Sequence, residues 1–197
     1  NFKSFDEFKY NWNNRRNILY WRGSITGAKK NNFESILDTD RIKLNLKYKH
    51  NENIDFKITK VPDNFNSIER FKIIEFLQEN NIFSDYVLEE EFFKYRYYID
   101  LPGNALSWGT ILKHLNGNLV FRKKYDDKLL YYIYLEPWES YIPLEDDYSN
   151  LESVLEWTRD NEEKAINIAF KGYQSCKKYI ENIHNHLKNA IISNLYF

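Results

Sequence analysis

A short polar segment at residues 21–27 combines a guanidinium group, two hydroxyls and two glycines at the end of a predicted strand. Arg22 can pair with a phosphate through two parallel hydrogen bonds, and the hydroxyls of Ser24 and Thr26 can donate to the same anion. Gly23 and a second glycine let backbone N–H groups approach a ligand closely. The segment therefore predicts a phosphate site, with an ordinary surface turn that carries an exposed arginine as the alternative.

A second segment, residues 100–110, runs from a predicted strand into a predicted helix. A helix N-terminus offers N–H groups that lack intrahelical partners, together with about half a positive charge, which suits a second phosphate contact. Asn104 or Ser107 could instead be a plain helix cap, which is the commoner role for these residues. The candidate site residues of this segment are Asp100, Gly103, Asn104, Ala105, Ser107 and Trp108.

The elements that must position these segments follow from hydrophobic spacing and turn residues. Helices are predicted over residues 5–10, 67–81, 105–115, 150–159, 162–173 and 175–195. Strands are predicted over residues 17–21, 41–49, 56–61, 92–101, 119–121 and 129–135. Polar turns are predicted at residues 22–24 and 102–104. The alternation predicts an α/β fold with a largely parallel sheet, in which ligands bind beyond the carboxyl ends of the strands.

Composition excludes several classes of protein. The chain has 28 basic and 29 acidic residues, so no net field attracts nucleic acid, and no nucleic-acid partner is expected. The longest apolar runs, such as residues 129–135, are far shorter than the ~20 residues that a transmembrane helix needs, which leaves peripheral membrane association open. Cys176 is the only cysteine, which favours a reducing compartment. Because the chain starts at Asn1 and contains no Met, we expect a piece of something longer.

Further motifs extend the pattern along the chain. They are Trp-Arg-Gly-Ser at 21–24, Lys-Tyr-Arg-Tyr at 94–97, Gly-Asn-Ala at 103–105 with Ser-Trp at 107–108, Gly-Asn-Leu-Val-Phe at 117–121, Leu-Glu-Pro-Trp at 135–138, Tyr-Ile-Pro at 141–143 and Ser-Asn-Leu at 149–151, followed by Trp157, Asn161, Ala165 and Gly172. In this order they resemble glycosyltransferase family 90, which contains protein O-glucosyltransferases and capsule- or lipopolysaccharide-modifying enzymes.

The resemblance covers the chain from Trp21 to about Gly172 and implies a GT-B-like, Rossmann-like lobe with a helical C-terminus. It implies that residues 1–197 are mostly the donor-binding lobe, with residues 1–16 connecting from a preceding lobe and residues 175–197 forming a final helix. The implied reaction is inverting transfer of a glucose- or xylose-type sugar from a UDP-sugar, without metal or cofactor. The implied acceptor is a hydroxyl of a glycan, a lipopolysaccharide or a protein. Arg22 would hold the diphosphate.

The chain departs from the family pattern in three places. Glu139 and Ser140 stand where many relatives have Val-His, and Gly109 stands where eukaryotic members often carry Arg. No segment before Trp21 matches the one that carries the family's catalytic Asp, so the base is expected outside this chain. These departures leave a second hypothesis, a non-catalytic nucleotide-sugar-binding domain.

A third hypothesis, a metal-dependent GT-A enzyme, uses Asp38 and Asp40, which form an Asp-x-Asp pair that could hold a divalent ion. The pair precedes a predicted strand instead of following one, so no metal is expected. His184 and His186 are two residues apart on a predicted helix and point about 200° apart, which excludes a shared metal ion there. The single cysteine and the absence of an Asn-x-Ser/Thr sequon favour the cytoplasm, with the secretory lumen as the alternative.

Overall fold

The computed structural model describes residues 2–104, 109–124 and 134–195. The chain divides into two compact units. The central unit is Asn14–Thr110, and the terminal unit combines Asn1–Asn13 with Ile111–Phe197. A single donor-binding lobe over residues 1–197 stays a prediction.

Three parallel strands form the sheet of the central unit. They are β1 (Arg16–Ser24), β2 (Ile54–Lys60) and β3 (Tyr95–Ile99). β1 pairs in parallel with both β2 and β3. Leu19, Tyr20 and Trp21 are buried in succession, so both faces of β1 are covered, as expected for a parallel strand. These strands confirm the predictions around residues 17–21, 56–61 and 92–101.

β1 is longer than predicted at its carboxyl end. The turn predicted at residues 22–24 is wrong, because the ladder with β2 continues to Ser24, which lies opposite Lys60. The register shifts between Gly23 and Ser24, and such a bulge bends a strand and re-aims its side chains. The polar residues predicted to form a turn therefore occupy the last part of a strand.

The helices of the central unit are α2 (Phe33–Leu37), α3 (Asp40–Tyr48) and α4 (Ser67–Glu79), with a 3₁₀ helix at Glu89–Lys94. α4 confirms the predicted helix over residues 67–81. α3 contradicts the strand predicted over residues 41–49. The side chain of Thr39 caps α3 by accepting a hydrogen bond from the backbone N–H of Ile42, which satisfies one of the N–H groups that a helix start leaves open.

Burial along α3 explains why the strand prediction was wrong. Leu44 and Tyr48 are four residues apart and both buried, and Asn45 between them is buried as well. That spacing is helical. The alternation of Ile42, Leu44, Leu46 and Tyr48 suggested the two-residue period of a strand, but the buried residues of this segment lie on a helix.

The terminal unit is largely helical. Its elements are α1 (Phe5–Asn13), β4 (Leu119–Lys123), β5 (Ile142–Leu144), α6 (Leu151–Asp160) and α7 (Glu162–Leu195), with α5 (Gly109–Leu115) spanning the boundary between the units. β4 and β5 pair in parallel. α7 is one continuous helix of 34 residues, where two helices were predicted over residues 162–173 and 175–195. Across the described ranges, no helix combines the length and apolar character needed to cross a membrane.

α1 and α7 pack through aromatic rings. Phe8 and Phe170 make an edge contact with ring centroids 5.1 Å apart, and Phe2 contacts Tyr173 at 5.2 Å in the same manner. Phe2 also donates its backbone N–H to the Tyr173 hydroxyl at 3.0 Å. α1 confirms the helix predicted over residues 5–10. Its buried aromatic residues, Phe8 and Trp12, belong to the core of the terminal unit.

Gly172 lets α7 approach two groups of the terminal unit closely. A Cβ at this position would lie 2.5 Å from both the carbonyl oxygen of Ser140 and Nδ1 of His114. Ser140 closes a turn, because its hydroxyl accepts from the N–H of Glu136 at 2.7 Å and donates to the carbonyl of Glu136 at 3.0 Å. The residue that departs from the family pattern therefore has a structural role.

The strands that pair within each unit are parallel, helices flank them, and the C-terminus is helical. The predicted α/β fold with parallel strands and a helical C-terminus is confirmed. Most of the strand predicted over residues 129–135, and the side chains of His184 and His186, lie outside the described residues.

Candidate functional site

The loops after β1 and β3 meet at the carboxyl edge of the central sheet. The backbone N–H of Gly27 donates a hydrogen bond to Oδ1 of Asn104 at 2.7 Å. Gly27 has a φ of 89°, a conformation that glycine adopts without steric cost. A Cβ on Gly27 would lie 3.8 Å from Gly103. The two segments that the sequence singled out are therefore neighbours.

Gly103 occupies a position with no room for a side chain. A Cβ there would collide with Oγ1 of Thr26 and would lie 2.9 Å from Nη2 of Arg41. Glycine at this position therefore lets the backbone of the second loop contact a hydroxyl from the first loop and a guanidinium from α3. Three of the predicted residues, Thr26, Gly103 and Asn104, come together in this way.

Arg41 is the residue at this site that sequence reasoning missed. Its guanidinium donates hydrogen bonds to three backbone carbonyls, those of Ser24 at 2.6 Å, Leu101 at 2.8 Å and Pro102 at 2.9 Å. It also lies over the Trp21 ring, 5.3 Å from the centroid. Arg41 thus connects the carboxyl ends of β1 and β3. No sequence signal identified it, because the segment was predicted as a strand.

Arg22, the predicted diphosphate ligand, contacts Asp55 of β2. Its Nη2 is 2.8 Å from Oδ2 of Asp55, and its Nη1 donates to the backbone carbonyls of Asp55 and Trp21, each at 3.0 Å. Its guanidinium also stacks over the Tyr20 ring at 4.3 Å. The Arg22 side chain is 12% exposed and that of Asp55 is 34% exposed, so solvent can reach the pair.

The two arginines lie on opposite faces of β1. Side chains alternate along a strand, and Arg22 stacks on Tyr20 whereas Arg41 stacks on Trp21. Gly23 leaves space for the Trp21 ring, since a Cβ there would collide with the indole. The sheet edge therefore carries one guanidinium on each face.

The face that carries Arg22 is partly desolvated. Tyr20 stacks on Tyr95 with ring centroids 3.8 Å apart and an interplanar angle of 8°. Burial raises the pKa of Tyr20, and the positive charge of Arg22 acts in the opposite direction. Burial also lowers the pKa of Lys57. The negative charge of Asp55 opposes this shift, and the positive charge of Arg22 adds to it. Charges on this face are consequently screened less than charges in bulk water.

The remaining predicted site residues are Ser24, Asp100, Ala105, Ser107 and Trp108. The Ser24 hydroxyl donates to the carbonyl of Lys60 at 3.1 Å, and Asp100 is 1% exposed. Ala105, Ser107 and Trp108 lie outside the described residues. The helix start predicted as a phosphate contact is therefore described only from Gly109 onward.

The Asp-x-Asp residues lie between the end of α2 and the start of α3. Asp38 follows α2, its side chain is 88% exposed, and it lies 3.4 Å from Nζ of Lys43. Asp40 is the first residue of α3, where a carboxylate interacts favourably with the helix dipole. Among the side chains of residues 2–104, 109–124 and 134–183, no three His, Cys, Asp or Glu are grouped so that they could hold a metal ion.

Comparison with known proteins gives concordant results. The model of the family described as glycosyl transferase family 90 matches residues 4–190. Human protein O-glucosyltransferase 1 is 32% identical over 88 residues, which is 45% of this chain and 22% of the relative. Zebrafish (Danio rerio) protein O-glucosyltransferase 2 is 32% identical over 93 residues, 46% of this chain and 18% of the relative. The chain thus spans about a fifth of the length of these relatives.

A solved structure has a similar fold, and this similarity confirms the predicted GT-B-like fold. The crystal structure of the pneumococcal O-GlcNAc transferase GtfA in complex with UDP and GlcNAc matches with a TM-score of 0.51 and 14% sequence identity. The match covers 89% of this chain and 39% of that chain.

Proposed function

The chain belongs to glycosyl transferase family 90, and from that premise we propose that the carboxyl edge of its central sheet holds the diphosphate of a UDP-sugar donor. The proposed reaction transfers the sugar to an acceptor hydroxyl with inversion at the anomeric carbon. The observation that carries the proposal is the hydrogen bond from the Gly27 N–H to Asn104 Oδ1, which joins the loops after β1 and β3.

Three features of this edge suit a diphosphate. First, the carboxyl ends of neighbouring parallel strands are the usual ligand position in open α/β sheets. Second, because Asn104 accepts from Gly27 through Oδ1, its amide nitrogen offers two N–H donors on the other side. Third, the Thr26 hydroxyl and the guanidinium of Arg41 both lie next to Gly103. Neutral donors and positive charge thus lie together.

Arg22 supplies positive charge on the other face of β1. It is held by Asp55, so we propose that the diphosphate replaces the carboxylate as its partner when donor binds. A diphosphate carries more negative charge than a carboxylate and can accept two parallel hydrogen bonds from a guanidinium, whereas the Asp55 carboxylate accepts one from Arg22. Removal of Arg22 should weaken UDP binding by about 1.5–3 kcal/mol, the range for a hydrogen bond to a charged group.

In the proposed mechanism the acceptor hydroxyl attacks the anomeric carbon and UDP departs with the bonding electron pair. Negative charge grows on the leaving diphosphate, so preorganised donors at the loops stabilise the transition state more than the ground state. The base that takes the hydroxyl proton is proposed to lie outside this chain, and neither a cofactor nor a metal is required.

The finer identity of the substrates rests on the relatives. Their names specify protein O-glucosyltransferases, which favours glucose over xylose and a protein hydroxyl over a lipopolysaccharide or capsular glycan. The compartment follows the acceptor: a secreted protein acceptor implies the secretory lumen, whereas a lipopolysaccharide implies the cytoplasmic side of a membrane. Parallel turnover assays with UDP-glucose and UDP-xylose, each with protein and glycan acceptors, separate these combinations.

Binding calorimetry with UDP and uridine tests the donor site directly. UDP should bind more tightly than uridine, because the proposed contacts recognise phosphate. Arg22→Ala should reduce that difference, whereas Asp55→Asn, which removes only the competing carboxylate, should not. Equal affinity of the wild-type chain for UDP and uridine would refute the site. Equal losses in the two variants would make the pair structural.

A further inference from the structure

The contacts of Arg41 differ from those of an arginine that binds a ligand directly. Each of its three guanidinium nitrogens donates to a different backbone carbonyl, at distances of 2.6 to 2.9 Å. One carbonyl belongs to Ser24, at the end of β1, and two belong to the loop after β3, 60 and 61 residues away. The side chain therefore joins two segments that are distant in sequence.

We propose that Arg41 is a positioning residue for the donor: it fixes the loops after β1 and β3 in the arrangement that receives the diphosphate. This inference rests on the proposed function. Arg41 acts through the loops, because its nitrogens are directed at carbonyl oxygens and its ring contact is with Trp21. The residues that it positions are Thr26, Gly27, Gly103 and Asn104.

Electrostatics gives the guanidinium a second effect at this edge. The carbonyl oxygens of Ser24, Leu101 and Pro102 are the negative ends of peptide dipoles and would repel a phosphate nearby. Hydrogen bonds from a cation neutralise that repulsion and are stronger than bonds between neutral groups. Without Arg41, the loops would lose their connection and would also present three acceptors to an anion.

Only a guanidinium can make this set of contacts. Arg offers five N–H donors in one plane, whereas the Lys ammonium is a point charge with three donors on one atom. Gly103 also contributes, because a side chain there would displace Nη2 of Arg41. Arg41→Lys therefore keeps the charge but loses the geometry, and Arg41→Gln keeps a planar donor but loses the charge.

Arg70 provides a matched control in the same unit. Its Nη1 donates to the backbone carbonyls of Val61 at 2.7 Å and Pro62 at 3.2 Å, and it lies 2.9 Å from Oδ1 of Asp63. It thus fixes the loop after β2 by the same chemistry. That loop contains none of the proposed donor contacts, so Arg70→Ala reports the effect of losing an arginine that connects backbone segments.

The test compares UDP and uridine affinities by calorimetry in wild type, Arg41→Ala, Arg41→Lys, Arg41→Gln and Arg70→Ala. UDP affinity should fall about tenfold or more in Arg41→Ala, equivalent to one lost charged hydrogen bond, while uridine affinity changes less than about twofold. Arg41→Lys and Arg41→Gln should be intermediate. Millimolar methylguanidinium should restore UDP binding to Arg41→Ala, an effect that a general loss of stability would not produce.

The outcomes separate this inference from the proposed function. If the wild-type chain does not prefer UDP to uridine, the proposed function fails. If it prefers UDP and Arg41→Ala keeps the same preference, only the role of Arg41 is refuted. Equal losses of UDP affinity in Arg41→Ala and Arg70→Ala would refute it too, because they would indicate general destabilisation. If Arg41→Ala does not fold, Arg41→Lys and Arg41→Gln decide by the same comparison.

Discussion

Replacing Gly172 by Ala should destabilise the protein, although alanine is the better helix former. Gly172 lies within α7, where Gly→Ala alone would stabilise a helix by about 0.8–1.0 kcal/mol. The added methyl group, however, would lie 2.5 Å from both the Ser140 carbonyl oxygen and His114 Nδ1, about 1 Å inside ordinary contact.

Neither neighbour can move easily. The Ser140 carbonyl belongs to a turn that two hydrogen bonds to Glu136 hold closed, and His114 is 0% exposed. Overpacking of this kind typically costs about 1–3 kcal/mol, and with a backbone atom and a buried ring involved we expect the upper half of that range. Subtracting the helix-propensity gain leaves a net destabilisation of about 1–2 kcal/mol.

Urea unfolding followed by circular dichroism measures this difference, with an unchanged slope showing that only stability is altered. Gln174→Ala, an exposed position on the same helix, is the control and should change stability by less than about 0.5 kcal/mol. The Gly172→Ala change should cost less in a His114→Ala background, because the two residues are in contact. Stabilisation by Gly172→Ala would refute the close approach of α7 to this turn.

Two further predictions concern pH and metal. Burial, with repulsion from Arg122, lowers the pKa of His114 from 6.5 to about 3. Between these pH values the His114 side chain takes up a proton in the unfolded state but not in the folded state. The free energy of unfolding therefore falls as the pH falls. Relative to His114→Gln, the wild type should lose about 1.6 kcal/mol between pH 6.5 and pH 5 by urea unfolding, and parallel pH profiles would contradict the burial argument. UDP binding should persist in EDTA and in the Asp38→Ala/Asp40→Ala double variant, because in the proposed site Arg22 neutralises the diphosphate. Loss of binding that manganese restores would favour the Asp-x-Asp hypothesis.

The strands of the central unit could be predicted because their environment matches simple rules. β1 is buried on both faces at Leu19, Tyr20 and Trp21 and contains an apolar run, and β2 alternates buried and half-buried residues from Ile54 to Thr59. α3 could not be assigned by periodicity, since the spacing of Leu44 and Tyr48 fits both a strand and a helix. The side chain of Thr39 caps this helix, and the strand prediction did not take that local signal into account.

The loops of the site could be predicted, but the contacts of their arginines could not. Glycines and small polar residues after a strand are a local signal, and they identified Thr26, Gly103 and Asn104. Arg22 meets Asp55, 33 residues away, and Arg41 meets Leu101, 60 residues away. Such partners depend on strand pairing and helix packing, so no window of sequence contains them.

The pairing of β1 with β3 explains how such distant residues form one edge. Because the two strands are parallel neighbours, their carboxyl ends emerge side by side, and Ser24 and Leu101 come within reach of one guanidinium. Antiparallel strands would have placed the two loops at opposite edges of the sheet. The position of Arg41 in the first turn of α3 completes the arrangement, since the chain that leaves β1 returns to the same edge to begin that helix. The phosphate-binding geometry that we propose therefore depends on the parallel topology. A variant that weakens the β1–β3 pairing should reduce UDP affinity even when the packing of α3 against β2 is retained.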